Sequence, residues 1–138
     1  MSETLQQIQA PIAEELAYFE KYFRSAMKSD VGMLDRVTRY LLKSKGKQMR
    51  PMLVMFSAAV CGGIKPPTYR GAALVELLHT ATLIHDDVVD DADERRGFLS
   101  INAVWKNKIS VLVGDFLLSK GLLMALEHDD FQQLKIVS

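Results

Sequence analysis

The sequence predicts an all-α protein, a single domain of packed helices. Apolar residues recur at three- and four-residue intervals along most of the 138 positions and almost nowhere alternate with polar ones as in a half-buried strand. Helix-breaking residues cluster between the periodic segments, in "SDVG" and "GGIKPP". A hydrophobic content of 49% supplies enough apolar surface for one core, and no repeat or low-complexity linker marks a second domain.

The first helix is expected from about Pro11 to Met27, with Ile12, Leu16, Phe19 and Phe23 on one face. "SDVG" ends it. Asp30 is placed to cap a second helix that runs to about Lys43 and turns Leu34, Val37 and Leu41 inward. The basic loop "KSKGKQMRP" follows, and Pro51 suits the first turn of a third helix, "PMLVMFSAAVC". A fourth helix is expected from about Tyr69 to Asp91. After the loop "ERRGFLS" come a short helix around "INAVWKNK" and a long apolar one, "ISVLVGDFLLSKGLLMALEH".

Lys plus Arg and Asp plus Glu each total 17, so no global field draws the chain to nucleic acid or an anionic membrane. Any electrostatic function must be local. The N-terminus lacks a basic stretch followed by an apolar core, and no uninterrupted apolar run has the length of a transmembrane segment. With a single cysteine, Cys61, internal disulfides are excluded, and the chain is expected to be cytoplasmic.

Charge concentrates at the C-terminal end of the fourth helix, in "HDDVVDDADERRG". A helix C-terminus carries partial negative charge and disfavours acids, so carboxylates gathered there require compensation. Asp86 and Asp90 are four apart, as are Asp87 and Asp91, which places each pair along one helix face. Such oxygen donors suit a hard divalent ion, and Mg²⁺ takes one or two carboxylates together with water and substrate phosphate. The plainer reading of an acidic run is a solvated face. Basic groups flank the acids. Arg95 and Arg96 offer guanidinium forks that match phosphate oxygens. Lys47 and Arg50 stand at a helix start whose free N–H groups favour an anion, and His79 lies nearly in line with Asp86 on one helix face.

Taken in order, "GKQMRP", His79, "DDVVD" and "RRG" resemble the trans-type polyprenyl diphosphate synthases, enzymes that elongate isoprenoid chains. "DDVVD" matches their first aspartate-rich motif, D-D-x-x-D. The similarity runs from about Lys45 to about Gly121 and includes "VGDFLLSKG". The resemblance implies a helical bundle of the isoprenoid synthase type around a central cavity. It implies that Lys47, Arg50, His79 and Arg96 hold the diphosphate of isopentenyl diphosphate and that Arg95 contacts the allylic diphosphate. Asp86, Asp87 and Asp90 would be the catalytic and metal-binding residues, reaching that diphosphate through Mg²⁺. Ala81 and Thr82, both small, stand five and four positions before Asp86, where an aromatic goes with short products. The product expected from the resemblance is a medium- or long-chain polyprenyl diphosphate of more than four isoprene units, as in octaprenyl-like members. Gly114, Leu118, Gly121 and Ala125 form a narrow stripe that is either an internal packing seam or, since the family implies a homodimer, a contributing surface.

The chain departs from the family pattern after Lys120, where no second aspartate-rich motif appears. "EHDD" at 127–130 lacks the spacing and is expected to be an exposed connector. Residues 1–138 are therefore expected to form the N-terminal portion of the fold, without the C-terminal half, and to be inactive alone. The alternative is a non-catalytic or regulatory subunit of a heteromeric synthase. A class I terpene cyclase would need neither "GKQMRP" nor the second arginine of "RRG", and a calcium loop would need a glycine at its sharp turn. Among other polar and aromatic residues, Trp105 is expected to anchor its short helix. Asp115, interrupting an apolar run, is expected to be a buried carboxylate with either a structural ion-pair partner or a role supporting the metal site.

Overall fold

A computed structural model describes residues 2–44 and 46–138; Lys45, in the basic loop, lies outside them. The order is α1 (Glu3–Gln9), a 3-10 turn (Ala10–Ile12), α2 (Ala13–Ala26), α3 (Gly32–Lys43), α4 (Met49–Val60) and α5 (Pro66–Val89). Then come a hairpin of two-residue strands, β1 (Glu94–Arg95) and β2 (Phe98–Leu99), followed by α6 (Ile101–Glu127) and α7 (Phe131–Val137). The all-α expectation holds apart from that hairpin, which the sequence reading had as a loop.

Local chemistry explains the boundaries. The Ser2 hydroxyl accepts from the Leu5 N–H at 3.4 Å and starts α1, whose polar "QQIQ" carries too short an apolar stripe to be legible. Asp30 does not cap α3. Ser29 Oγ instead accepts from the Val31 N–H at 3.2 Å, and the helix begins two residues after Asp30 without a side-chain cap. Pro51 stands in the first turn of α4 as expected, because its missing N–H costs nothing there. Pro66 and Pro67 open α5 for the same reason, and Thr68 Oγ1 accepts from the Lys65 N–H at 3.1 Å.

α5 is the central helix, packed against α2, α4 and, most extensively, α6. It buries Ala72, Ala73, Leu74, Leu77, Ala81 and Ile84. Leu16 and Phe19 of α2, Met52 and Met55 of α4, and Val113, Leu117 and Met124 of α6 complete the core. Side chains of this size each contribute about 1.5–3 kcal/mol on full burial. Ile12 and Val37 are buried and Phe23, Leu34 and Leu41 partly so, which matches the faces expected from the periodicity.

α6 is broken at Lys106, whose φ of 67° and ψ of 169° separate a short helical segment from the long one. Ser100 Oγ caps the start by accepting from the Ala103 N–H at 3.0 Å while donating to the Ala92 carbonyl at 2.6 Å. Trp105 packs edge-on against Tyr40 with ring centroids 5.2 Å apart, as its anchoring role required.

Two expectations about the C-terminal segment are corrected. A Cβ at Gly114 would lie 2.2 Å from His85 Nε2, and one at Gly121 would lie 3.3 Å from Leu74 Cδ1. With Ala125 also buried, the small-residue stripe is a seam against α5 rather than a free face. α6 is by length and composition apolar enough to cross a membrane, but Asp115 and Lys120 interrupt its apolar run and one face of it is buried against α5. Second, Asp130 is no exposed connector. Its carboxylate accepts from Arg70 Nε at 2.5 Å and Nη2 at 2.9 Å, with side-chain exposures of 9% and 16%. This pair fastens the α6–α7 junction to the first turns of α5.

Candidate functional site

The acidic run sits where α5 stops, and the stop is a backbone event. Asp90 is the C-cap, and Asp91 adopts a left-handed conformation with φ of 51°. The Ala92 N–H returns to the Asp87 carbonyl at 3.0 Å and the Asp91 N–H to that of Val88 at 3.4 Å, a Schellman closure. Asp tolerates the left-handed region better than most residues, so part of this sequence serves helix termination. The expected Asp87–Asp91 stacking is thereby corrected, since Asp91 has left the helix. Asp86 and Asp90 are both exposed, and Asp87 is buried at 4%.

A tight hairpin brings the arginines back to this helix end. Glu94 pairs with Leu99 and Arg95 with Phe98, leaving Arg96 and Gly97 as a two-residue turn with φ of 53° and 77°. Positive φ at both positions is the turn geometry that suits the twist of a hairpin. α3 holds the hairpin from outside. The Tyr40 hydroxyl donates to the Leu99 carbonyl at 2.7 Å, and its ring meets Phe98 edge-on at 6.4 Å. Arg95 forks onto Asp87, with Nε 2.8 Å from Oδ2 and Nη2 2.5 Å from Oδ1. Asp87, Asp86 and Asp90 all act to hold the Arg95 guanidinium charged, so one cation stands among three carboxylates.

Arg96 reaches the other way, over the basic loop. A Cβ on Gly46 would lie 2.6 Å from Arg96 Nη1, so the glycine of "GKQMRP" leaves room for the guanidinium. Gln48, left-handed with φ of 56°, precedes α4 and puts Arg50 in its first turn; Lys47 is exposed. These elements converge on His79. Burial, and then the charges of Arg50, Arg96 and Arg95, hold its imidazole below the ordinary value of 6.5. Glu76, one turn earlier, was missed from sequence. Burial raises its carboxyl while Arg50 and Arg96 oppose that rise. A lone acid inside the apolar run "AALVELLHTA" was the available signal.

A cavity of about 100 Å³ lies beside this cluster, lined by Glu76, Thr80, Asp87, Arg95, Arg96 and Gly46 and closed by apolar residues that include Phe19 and Ile84. Ala81 is buried, on the side of α5 that carries Leu74, Leu77 and His85 toward α6, whereas Thr82 is exposed and donates to the His79 carbonyl at 2.8 Å. Neither lines the cavity. Asp115 is 61% exposed, so it is not a buried carboxylate; its Oδ1 lies 3.3 Å from His85 Nε2.

Among the described residues, no three acidic, histidine or cysteine side chains converge as a ready metal cage. Positions 86 and 90 share a helix face while 87 lies about 100° around it, where Arg95 captures the carboxylate. Two exposed carboxylates one turn apart still fit a Mg²⁺ ion that draws its remaining oxygens from water and phosphate.

Fold and site together define a helical protein that sets an acidic helix end against a basic anion cradle. The polyprenyl synthetase family model matches residues 31–138, and the chain belongs to that family. It is 37% identical over 131 residues to an all-trans-nonaprenyl-diphosphate synthase (geranyl-diphosphate specific) of Rhodobacter capsulatus, covering 94% of this chain and 40% of that protein. It is 35% identical over 134 residues to the octaprenyl diphosphate synthase of Escherichia coli K12, covering 97% and 42%. A crystal structure of polyprenyl synthase from Caulobacter crescentus CB15, complexed with calcium and isoprenyl diphosphate, superposes with a TM-score of 0.89 at 32% identity, covering 96% of this chain and 40% of that one. The chain thus spans about two fifths of the length of these relatives.

Proposed function

We propose that this chain supplies the substrate-diphosphate and metal side of a trans-polyprenyl diphosphate synthase, which adds isopentenyl diphosphate to an allylic diphosphate. The observation that carries the reading is one cavity lined by Arg95, Arg96 and Asp87 at the helix end that also bears the exposed Asp86 and Asp90. In this reading Lys47, Arg50, His79 and Arg96 bind isopentenyl diphosphate. Neutral His79 donates or accepts a hydrogen bond there without adding charge. Arg95 binds the allylic diphosphate by exchanging the Asp87 carboxylate for phosphate oxygens, which match the same fork. Asp86 and Asp90 would hold Mg²⁺, and Asp87 would be available to it wherever Arg95 engages phosphate instead. When bound, the ion neutralises charge growing on the departing diphosphate. Asp87, Arg95 and Arg96 line one cavity, so the residues would also align the two substrates. The apolar cavity walls exclude water from the reacting carbon.

The octaprenyl and nonaprenyl synthases among the relatives support a product longer than four isoprene units. A homodimer belongs to the same proposal, with exposed Val111, Leu112, Leu122 and Leu123 of α6 as apolar surface. So does a cytoplasmic setting.

Calorimetry with isopentenyl diphosphate tests the reading. Binding is expected, and Arg96→Ala should weaken it at least tenfold. Radiolabelled isopentenyl diphosphate with an allylic primer and Mg²⁺ should give no turnover from the 138-residue chain. Absence of binding would overturn the assignment, and turnover would overturn the reading that the chain is inactive alone.

A further inference from the structure

The hairpin that carries Arg95 and Arg96 is built of two-residue strands, too short to hold its shape in water by pairing alone. Its base is closed locally. The Ser100 N–H donates to the Asp93 carbonyl at 2.8 Å, and the Ser100 hydroxyl donates to the Ala92 carbonyl at 2.6 Å. Its second strand is gripped from α3. The Tyr40 hydroxyl donates to the Leu99 carbonyl at 2.7 Å and the Tyr40 ring meets Phe98 edge-on, so one side chain touches both residues of β2. Trp105 of α6 in turn packs edge-on against that ring, with centroids 5.2 Å apart, and restricts it.

The segment that supplies this grip also lies against Arg96. α3 ends at Lys43, and Gly46 follows in the basic loop, where a Cβ would lie 2.6 Å from Arg96 Nη1. The hairpin therefore meets α3 and its loop twice, at Tyr40 and at Gly46. Arg95 has an anchor of its own in the fork onto Asp87. Arg96 stands in the turn, with φ of 53°, and its place over the basic loop follows from where the hairpin lies. Tyr40, Leu99, Arg96 and Gly46 line one cavity.

We propose that Tyr40 is a positioning residue: its hydroxyl and ring fix the hairpin against α3 and so hold Arg96 over the basic loop, ready for a diphosphate. The proposal rests on the reading of this cavity as a diphosphate site and deepens it. An arginine on a loose turn must be ordered by the ligand, at a cost in affinity, whereas one whose backbone is fixed beforehand spares that cost.

Tyr40→Phe removes the hydroxyl and keeps both ring contacts. Calorimetry with inorganic pyrophosphate should show about a fivefold loss of affinity, the worth of one neutral hydrogen bond. A double-mutant cycle identifies the residue through which the loss is carried. In an Arg96→Ala background Tyr40→Phe should change the affinity by less than about twofold, and in an Arg50→Ala background the loss should remain. A generally loosened structure would show it in both. Amide hydrogen exchange over residues 94–99, measured without ligand, is the second readout and should be faster in Tyr40→Phe. Phe98→Ala, which leaves the Tyr40 hydroxyl and Trp105 in place, removes the other half of the grip. It should give the same Arg96-dependent loss and serves if Tyr40→Phe melts early. Unchanged pyrophosphate affinity in Tyr40→Phe, or equal losses in the two backgrounds, would overturn the proposal. If the unmodified chain does not bind pyrophosphate, the diphosphate reading falls, and the exchange rates then decide the grip alone: faster exchange keeps it and unchanged exchange overturns it.

Discussion

The two ends of α5 carry the same kind of interaction in opposite circumstances. Near the start, Arg70 forks onto Asp130; at the finish, Arg95 forks onto Asp87. Each end of the helix holds the charge that its macrodipole disfavours, a cation at the N-terminus and an anion at the C-terminus, and each is neutralised by a residue from elsewhere in the chain. The difference lies in the company. Arg70 meets one carboxylate, enclosed on both sides, and the pair is balanced; Asp130 is held well ionised mainly by that hydrogen bond. Arg95 is 38% exposed and stands among three carboxylates, two of them open to solvent. A balanced, enclosed pair is a fastening. An unbalanced, open one retains capacity for a further cation and for exchange of the arginine onto another anion.

Breaking each pair separates these roles. Arg70→Ala leaves Asp130 buried and unpaired and should cost about 3 kcal/mol in chemical denaturation. Pyrophosphate binding by the folded protein should be unaffected, and a loss of binding would show that the two ends of α5 are coupled. Arg95→Ala also leaves Asp87 unpaired, but the half-exposed arginine lets solvent reach the site, so the cost should be smaller, about 1–2 kcal/mol. The same variant should bind Mn²⁺ more tightly, read by paramagnetic relaxation of solvent water, since Asp87 is released. Unchanged Mn²⁺ affinity would place Asp87 outside the cation site.

Gly46→Ala sharpens the basic side. The added methyl meets the far end of a flexible arginine, so stability should change by less than about 0.5 kcal/mol while pyrophosphate affinity falls several-fold as Arg96 is displaced. The smallest effect concerns pH. The depressed His79 imidazole means that the unfolded chain binds a proton there more readily than the folded one. Its contribution to stability is present above the ordinary value of 6.5 and is lost as pH falls below it. Denaturation midpoints of the unmodified chain and of His79→Gln should therefore diverge on acidification, with the unmodified chain falling faster; parallel profiles would show that His79 titrates freely.

The helices, their order and the motifs were legible because each is a local pattern. Ile12, Leu16 and Phe19, or Leu34, Val37 and Leu41, repeat at helical intervals, and "DDVVD" and "RRG" follow one another within a few residues. What was not legible has a common cause. The spacing of Gly114 and Gly121 suits a dimer surface as well as an internal seam, and only the fold shows that His85, Leu74 and Leu77 fill the space above them. Asp115 looked buried because its neighbours in sequence are apolar, whereas α6 turns it outward. Asp91 fits the helical spacing of the acids, but the helix closes one residue earlier.

By itself the sequence determined that the chain is helical, where its helices break, and that acids and arginines gather at one helix end, since periodicity, proline and glycine placement and charge spacing act over a few residues. Only the tertiary structure decided which charges meet. Asp130 finds a partner 60 residues away in Arg70. Arg95 faces the acids and Arg96 the basic loop because a two-residue turn reverses the chain between them and Phe98. Ion pairing is set by distance in space and by exclusion of water, and neither is written in the spacing of residues along the chain.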